Sequence, residues 1–148
     1  MAYTAIHFHC VFSTKERRKF LDPELLNRVS RYITGIVTNI RGKMLWVNGT
    51  TDHLHILLGL PPNVHVAEAM MKVKANSSKW IHETLPNLRQ FAWQESYGAF
   101  VVEPQNLGRI IQYIKGQEEH HKKQTFEDEF IELLKQHGID FDPLTVFG

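Results

Sequence analysis

Two histidines separated by one residue, His53 and His55, are the side chains whose types and spacing first indicate chemistry. In a β-strand, alternate side chains share a face, so both imidazoles would stand on one side, with backbones about 7 Å apart, while Leu54 points away. The apolar residues 56–58 extend this strand and predict burial on both faces, where a polar pair is costly unless something satisfies it. The pair therefore predicts half of a metal site. The spacing alone also allows two ordinary, partly buried histidines.

A second polar group lies on a helix predicted near the C-terminus. Its apolar stripe consists of Leu107, Ile110, Ile111 and Ile114. At about 100° per residue, one narrow sector beside that stripe holds five polar side chains, namely Asn106, Arg109, Tyr113, Gln117 and His120. The helix can therefore present them together to a partner, although a tyrosine at the edge of an amphipathic helix is usually a packing residue.

The elements that must position these residues follow from hydrophobic periodicity and from capping signals. In chain order they are a strand over 3–12, a helix from Asp22-Pro23 to Gly42, a strand over 43–48, a turn into the histidine strand, a helix over 64–85, one or two strands within 91–102 with Gly98 as a bulge or turn, a helix from Asn106 to about Lys123, and a helix from Thr125 to Gln136 capped by Gly138. The core order, βαββαβ, predicts an α+β, ferredoxin-like antiparallel sheet with a C-terminal helical extension.

Composition limits the class of protein. The chain has 148 residues, 43% of them apolar, a net charge of +1 and one cysteine. We expect one domain over residues 1–148, in the cytoplasm, with no membrane span and no disulfide. The small net charge argues against a generally basic nucleic-acid coat but leaves room for local patches. No phosphate-cradling glycine loop occurs, so we expect no nucleotide cofactor.

Six side chains are candidates for contacts with DNA phosphates. They are Arg17 and Arg18 in the loop after the first strand, Lys72 and Lys79 on the second helix, and Arg109 and His120 beside Tyr113. For each of them a solvated surface position is the alternative interpretation.

The pairing of His53-Leu54-His55 with Tyr113-Ile114-Lys115-Gly116-Gln117 resembles the single-tyrosine HUH transposases of the insertion-sequence-200-like group. The resemblance covers nearly the whole chain, including residues 93–102 (WQESYGAFVV) and 117–126 (QEEHHKKQTF). It implies that His53, His55 and Gln117 bind a divalent cation and that Tyr113 attacks DNA. Two imidazoles and one amide oxygen suit Mg²⁺ or Mn²⁺.

The resemblance also implies the activity and the partners. We expect cleavage and rejoining of single-stranded DNA at insertion-sequence ends through a 5′-phosphotyrosine, on substrates with hairpin ends. Because excision needs two cuts, we expect a homodimer, in which the tyrosine helix of one chain can complete the histidine site of the other.

Three alternatives remain open at this stage. One is a non-catalytic module that binds single-stranded nucleic acid and stacks bases on Phe8, Trp46 and Tyr97. Another is a HUH relaxase or replication initiator, which normally has a longer chain. The third is a domesticated transposase that serves its host.

Overall fold

The computed structural model describes all 148 residues, Met1–Gly148. Four strands form one antiparallel sheet in the order β2-β3-β1-β4, with β1 at His7–Ser13, β2 at Lys43–Gly49, β3 at His53–Gly59 and β4 at Gly98–Val101. Five α-helices accompany it, α1 (Pro23–Asn39), α2 (Val66–Thr84), α3 (Leu107–Lys115), α4 (Gln117–His120) and α5 (Phe126–Gln136). This order and this sheet confirm the predicted α+β, ferredoxin-like class. No helix is long and apolar enough to span a membrane.

Three helix-end signals are confirmed. Asp22 caps α1, because its carboxylate accepts a hydrogen bond from the Leu25 N–H at 2.8 Å. Thr125 caps α5 in the same way, accepting from the Asp128 N–H at 3.1 Å. Gly138 follows α5 with φ of +66°, the left-handed conformation that favours glycine after a helix.

One face of the sheet is apolar and packs against α1 and α2. Leu54, Ile56 and Leu58 of β3 point into this core and are fully buried, with Cys10 and Phe12 of β1 beside them. Alternation along β3 sends the histidines to the opposite face, as predicted.

The opposite face is covered by the C-terminal helices. Ile114 of α3 packs against Leu57 and Val102. At the other end of the sheet, Phe126 and Phe130 of α5 pack against side chains of β1 and β4. The helical extension therefore forms a second layer, and His53 and His55 lie beneath it.

The prediction of one continuous helix from Asn106 to about Lys123 is wrong. The helical segment is divided at Gly116, whose N–H donates to the carbonyls of both Gln112 and Tyr113 at 3.2 Å. Glycine is a poor helix former, and here it ends α3, and α4 starts at Gln117.

The segment 91–102 contributes one strand, β4, and a single bridge between Thr14 and Trp93. Gly98 opens β4 and forms no bulge. A Cβ at Gly98 would lie 3.0 Å from ring atoms of Phe100 and Phe130, so glycine here lets α5 approach the strand closely.

Candidate active site

The two β3 histidines lie side by side with no solvent exposure, their ring centroids 5.3 Å apart. Each ring is oriented through its outer nitrogen. Nδ1 of His53 lies 2.7 Å from Asp52 Oδ1, and Nδ1 of His55 lies 2.8 Å from Nε2 of His9. Hydrogen bonds of this kind fix ring orientation in metal sites. Both Nε2 atoms consequently face the space beneath α3, α4 and α5.

The break at Gly116 lets two neighbouring helices supply polar groups to this space. Asn48 of β2 donates a hydrogen bond to the Ile114 carbonyl at 3.0 Å and so anchors the end of α3 to the sheet. Gln117, the first residue of α4, is fully buried, and its Oε1 lies 2.9 Å from His53 Nε2. The Tyr113 ring lies 5.7 Å from the His55 ring of the same chain. A single chain therefore brings Tyr113, His53, His55 and Gln117 together.

A carboxylate that sequence reasoning missed lies at the centre of the group. Glu129 of α5 is 1% exposed, and its Oε1 lies 2.9 Å from His55 Nε2 and 3.0 Å from His121 Nε2. The same oxygen is 3.6 Å from His53 Nε2. The other oxygen, Oε2, accepts hydrogen bonds from the Tyr113 hydroxyl and, at 3.1 Å, from the Gln117 amide. Three imidazole nitrogens thus converge on one side of the carboxylate and the tyrosine on the other.

The sequence does contain a signal for Glu129. The buried residues of α5 are Phe126, Glu129, Phe130, Leu133 and Leu134. This helical spacing places Glu129 within the apolar stripe, where an unpaired charge is costly. An acid in the apolar stripe of a helix indicates a buried partner. His121 offers no comparable signal, because it lies in a polar turn.

Burial and the neighbouring groups shift the pKa values at the site. Burial by itself would raise the pKa of Glu129, but hydrogen bonds from His121 and His55 lower it, so the carboxylate is ionised. Burial lowers the pKa of His55 to about 4 against the opposing effect of Glu129, which keeps this ring neutral at pH 7. Burial also raises the pKa of Tyr113, and the negative charge of Glu129 raises it further. The tyrosine is therefore a phenol whose hydroxyl donates a hydrogen bond to Glu129.

The donor atoms fit a divalent cation. One donor atom from each of His53, His55, His121 and Glu129 lies within 4.8 Å of the others. His53 Nε2 faces Gln117 Oε1, while its Nδ1 lies near both Asp52 Oδ1 and the Thr50 hydroxyl. The Gln117 amide nitrogen bonds to Glu129, which turns Oε1 toward His53. Gln117 Oε1 thus lies next to the histidine nitrogens, 2.9 Å from His53 Nε2.

An open cleft of about 510 Å³ reaches Tyr113 from the side of β4. Its lining includes His9, Phe100, Asn106, Arg109 and Gln136. His120 lies on the other side of Tyr113, with ring centroids 5.5 Å apart, and its Nε2 is 3.4 Å from Glu129 Oε2. Arg109 and His120, the two candidate DNA contacts predicted beside Tyr113, are thus next to it.

The other four candidate DNA contacts do not line the cleft beside Tyr113. Arg17 donates a hydrogen bond to the Phe147 carbonyl at 2.9 Å and borders a groove that also contains Asp52 and His121. Arg18 is exposed, 3.4 Å from Gln90. Lys72 and Lys79 lie on α2, beyond the apolar core, in ion pairs within their own helix. The structure does not bring these two lysines to the site.

The paired histidines lie on the central strand β3, and Tyr113 of α3 and Gln117 of α4 reach them from the helical layer. Residues 2–117 match the family model described as "Transposase IS200 like", and the chain belongs to this family of DNA-cleaving transposases. Relatives include the transposase for insertion sequence element IS200 of Salmonella typhimurium LT2, 30% identical over 121 residues, with 78% of each chain covered. The Salmonella typhi transposase for the same element matches equally. His121 and Glu129 lie beyond the residues matched to the family model.

Two solved structures share the fold. One is a candidate transposase from Deinococcus radiodurans R1, with a TM-score of 0.66 and 23% identity, covering 78% of this chain and 93% of that one. The other is a REP-associated tyrosine transposase bound to a REP hairpin, with a TM-score of 0.62 and 13% identity, covering 82% of this chain and 72% of that one.

Proposed function

We propose that this transposase cleaves and rejoins single-stranded DNA at insertion-sequence ends, with Tyr113 as the nucleophile and a divalent cation held by His53, His55 and Gln117. One observation carries the proposal: the Tyr113 hydroxyl and the Gln117 amide bind one oxygen of a buried carboxylate whose other oxygen faces both β3 histidines. Nucleophile and candidate ligands thus meet within one chain.

Mg²⁺ or Mn²⁺ is the proposed ion, since imidazole, amide and carboxylate donors suit Mn²⁺ and the oxygen donors suit Mg²⁺. When bound, such an ion supplies Lewis acidity toward a phosphate oxygen. The protein itself holds the rings in place, through Asp52 on His53 and His9 on His55.

The reaction is a transesterification. The Tyr113 oxygen forms a bond to phosphorus while the bond from phosphorus to the 3′-oxygen breaks. The tyrosine loses one proton and the leaving 3′-oxygen gains one. Because the 5′-phosphotyrosine retains a phosphodiester bond, a 3′-hydroxyl can reverse the step without ATP.

The cleft beside Tyr113 is the proposed path of the DNA strand. Arg109 lines this cleft, and its side chain is exposed, so it is available to a phosphate next to the scissile one. We infer substrates with hairpin ends, supported by the REP hairpin to which the REP-associated tyrosine transposase is bound. Arg109→Ala should slow cleavage more than it weakens hairpin binding, whereas Arg31→Ala, exposed on α1, should change neither.

A denaturing gel tests the nucleophile. Incubation with a labelled hairpin oligonucleotide and Mg²⁺ should yield a covalent adduct in which the protein is joined to the 5′ end created by the cut. Tyr113→Phe removes only the hydroxyl and should eliminate the adduct. Tyr32→Phe is the matched control, because Tyr32 stacks on Trp80 in the α1/α2 layer. An adduct formed by Tyr113→Phe would refute the assignment.

The proposed assembly is a homodimer that handles two cuts together. In the structure Tyr113 lies in the site of its own chain, so we propose two self-contained sites per dimer in place of exchanged tyrosine helices. Mixed His55→Ala and Tyr113→Phe chains should then remain inactive after subunit exchange. Restored cleavage would show exchanged helices, and a protein that sediments as a monomer with and without DNA would remove the dimer.

A further inference from the structure

We propose that Glu129 is a further ligand of the cation site and also positions the Tyr113 hydroxyl, so that one carboxylate connects the metal ion to the nucleophile. This inference rests on the proposed function and extends the site beyond the residues that match the family model, which end at 117.

A dication in this buried site requires a compensating negative charge. His55 and the Gln117 amide are neutral donors, and they and His53 are fully buried. Uncharged groups alone would leave the ion without the opposite charge that burial requires. Glu129 is the buried carboxylate in contact with these donors. Asp52 does not supply this charge at the ion, because its carboxylate contacts Nδ1 of His53, the ring nitrogen that faces away from the other donors.

The two oxygens of Glu129 have different partners. Oε1 faces the imidazole nitrogens of His53, His55 and His121, at 3.6, 2.9 and 3.0 Å. Oε2 faces away from them and accepts from Tyr113 and Gln117. A carboxylate that only balanced charge would not need to bind the tyrosine, and one that only held the tyrosine would not need three imidazoles on its other oxygen.

The helix that carries Glu129 is firmly packed. Phe126, Phe130 and Leu133 of α5 lie in a buried cluster with Val11 and Phe100 of the sheet. The Thr125 side chain fixes the first turn of α5. Glu129 thus projects from a rigid element, as a group that must hold its position to within a fraction of an ångström should.

A binding experiment separates this proposal from an activity effect. Mn²⁺ alone is titrated into metal-free protein, and the electron paramagnetic resonance signal of free Mn²⁺ gives the affinity. Glu129→Gln retains size but removes the charge, and we expect its Kd for Mn²⁺ to rise at least about tenfold, since even supporting residues of metal sites contribute about 10–100-fold. Asp128→Asn is the control, one residue away, and its Kd should match wild type.

The tyrosine-positioning role is tested by the cleavage rate at saturating Mn²⁺. A residue that acted only as a ligand would recover the full rate once metal is in excess. We expect Glu129→Ala to remain at least about 100-fold slow at saturation, because its tyrosine is no longer held. Glu129→Gln should lie between Glu129→Ala and wild type, since its single amide oxygen can face either the metal or the tyrosine.

The outcomes are distinguishable from failure of the proposed function. His55→Ala should also weaken Mn²⁺ binding; an unchanged Kd there would refute the metal centre itself. Loss of binding in His55→Ala with unchanged or tighter binding in Glu129→Gln would overturn only the ligand role of Glu129. A full rate for Glu129→Ala at saturation would overturn the positioning role. If the variants do not fold, a wild-type crystal soaked in Mn²⁺ tests whether Glu129 is a ligand. An anomalous-difference peak for Mn²⁺ more than about 3 Å from both Glu129 oxygens would exclude ligation.

Discussion

The two faces of the β-sheet are built from alternate residues of the same strands, yet they differ in chemical character. Toward α1 and α2, β3 presents Leu54, Ile56 and Leu58 to a core of aliphatic and aromatic side chains. Toward the C-terminal helices it presents His53 and His55 to a network of ring nitrogens, an amide and a carboxylate. All five of these β3 side chains are fully buried.

The difference indicates that the apolar face mainly stabilises the fold and that the polar face provides the chemical groups. Apolar burial is favourable wherever surface is removed from water, so the first face stabilises the fold without demanding exact partners. Buried polar groups are costly unless every one is satisfied, so the second face depends on specific partners from distant segments. A single substitution should therefore affect stability on one face and chemistry on the other.

The largest expected effect is on the polar face. His55→Ala should reduce single-turnover cleavage by at least about 10³-fold, because Lewis-acid stabilisation contributes several kcal/mol to such reactions. Adding a chelator to wild type should have the same effect. His65→Ala, at the exposed start of α2, is the control. Undiminished cleavage in chelator would remove the metal from the mechanism.

The adjacent residue tests the apolar face. Ile56→Ala removes buried methyl groups next to His55 and should lower the free energy of unfolding by about 2–5 kcal/mol in urea denaturation. The folded fraction should cleave at the wild-type rate. A large loss of activity without loss of stability would mean that the two faces are not independent.

Alkaline pH provides a smaller test of the apolar face. Burial raises the pKa of the Cys10 thiol to about 12. The folded state then retains a proton that the unfolded state releases, so this contribution to stability is complete below the ordinary thiol pKa of 9.0 and is lost as pH rises toward about 12. The slope approaches about 1.4 kcal/mol per pH unit. Cys10→Ala should abolish that part of the slope, and equal slopes would show that the thiol does not contribute.

The smallest effect is expected at the helix break above the polar face. A Cβ at Gly116 would meet the Gln112 and Tyr113 carbonyl oxygens at 3.6 and 3.7 Å, which are ordinary contacts. Gly116→Ala should raise the free energy of unfolding by about 0.4–1 kcal/mol, through lower entropy of the unfolded chain. Cleavage should stay within about twofold of wild type. A several-fold slower rate in the more stable variant would show that α3 must bend at Gly116 during the reaction.

The apolar face of the sheet could be predicted from the sequence, whereas much of the polar face could not. The apolar face, the order of strands and helices along the chain and the caps at Asp22 and Thr125 follow from periodicity and local hydrogen bonds, which a sequence displays directly. The break at Gly116 is hard to predict, because the apolar stripe runs through Ile114 and the polar spacing continues to Gln117 and His120. In the polar network, the contact between Glu129 and His55 depends on how α5 docks onto the sheet, and no local pattern specifies that docking.

The position of α5 in the chain has a consequence for synthesis. The contact between His55 and Glu129 spans 74 residues, and α5 is the last helix to be made. At about 5–20 residues per second, the ribosome releases β3 roughly 4–15 s before Glu129. Throughout that interval the nascent chain has its histidines but lacks the carboxylate that contacts Tyr113, so the buried polar network can close only after the last helix has been made.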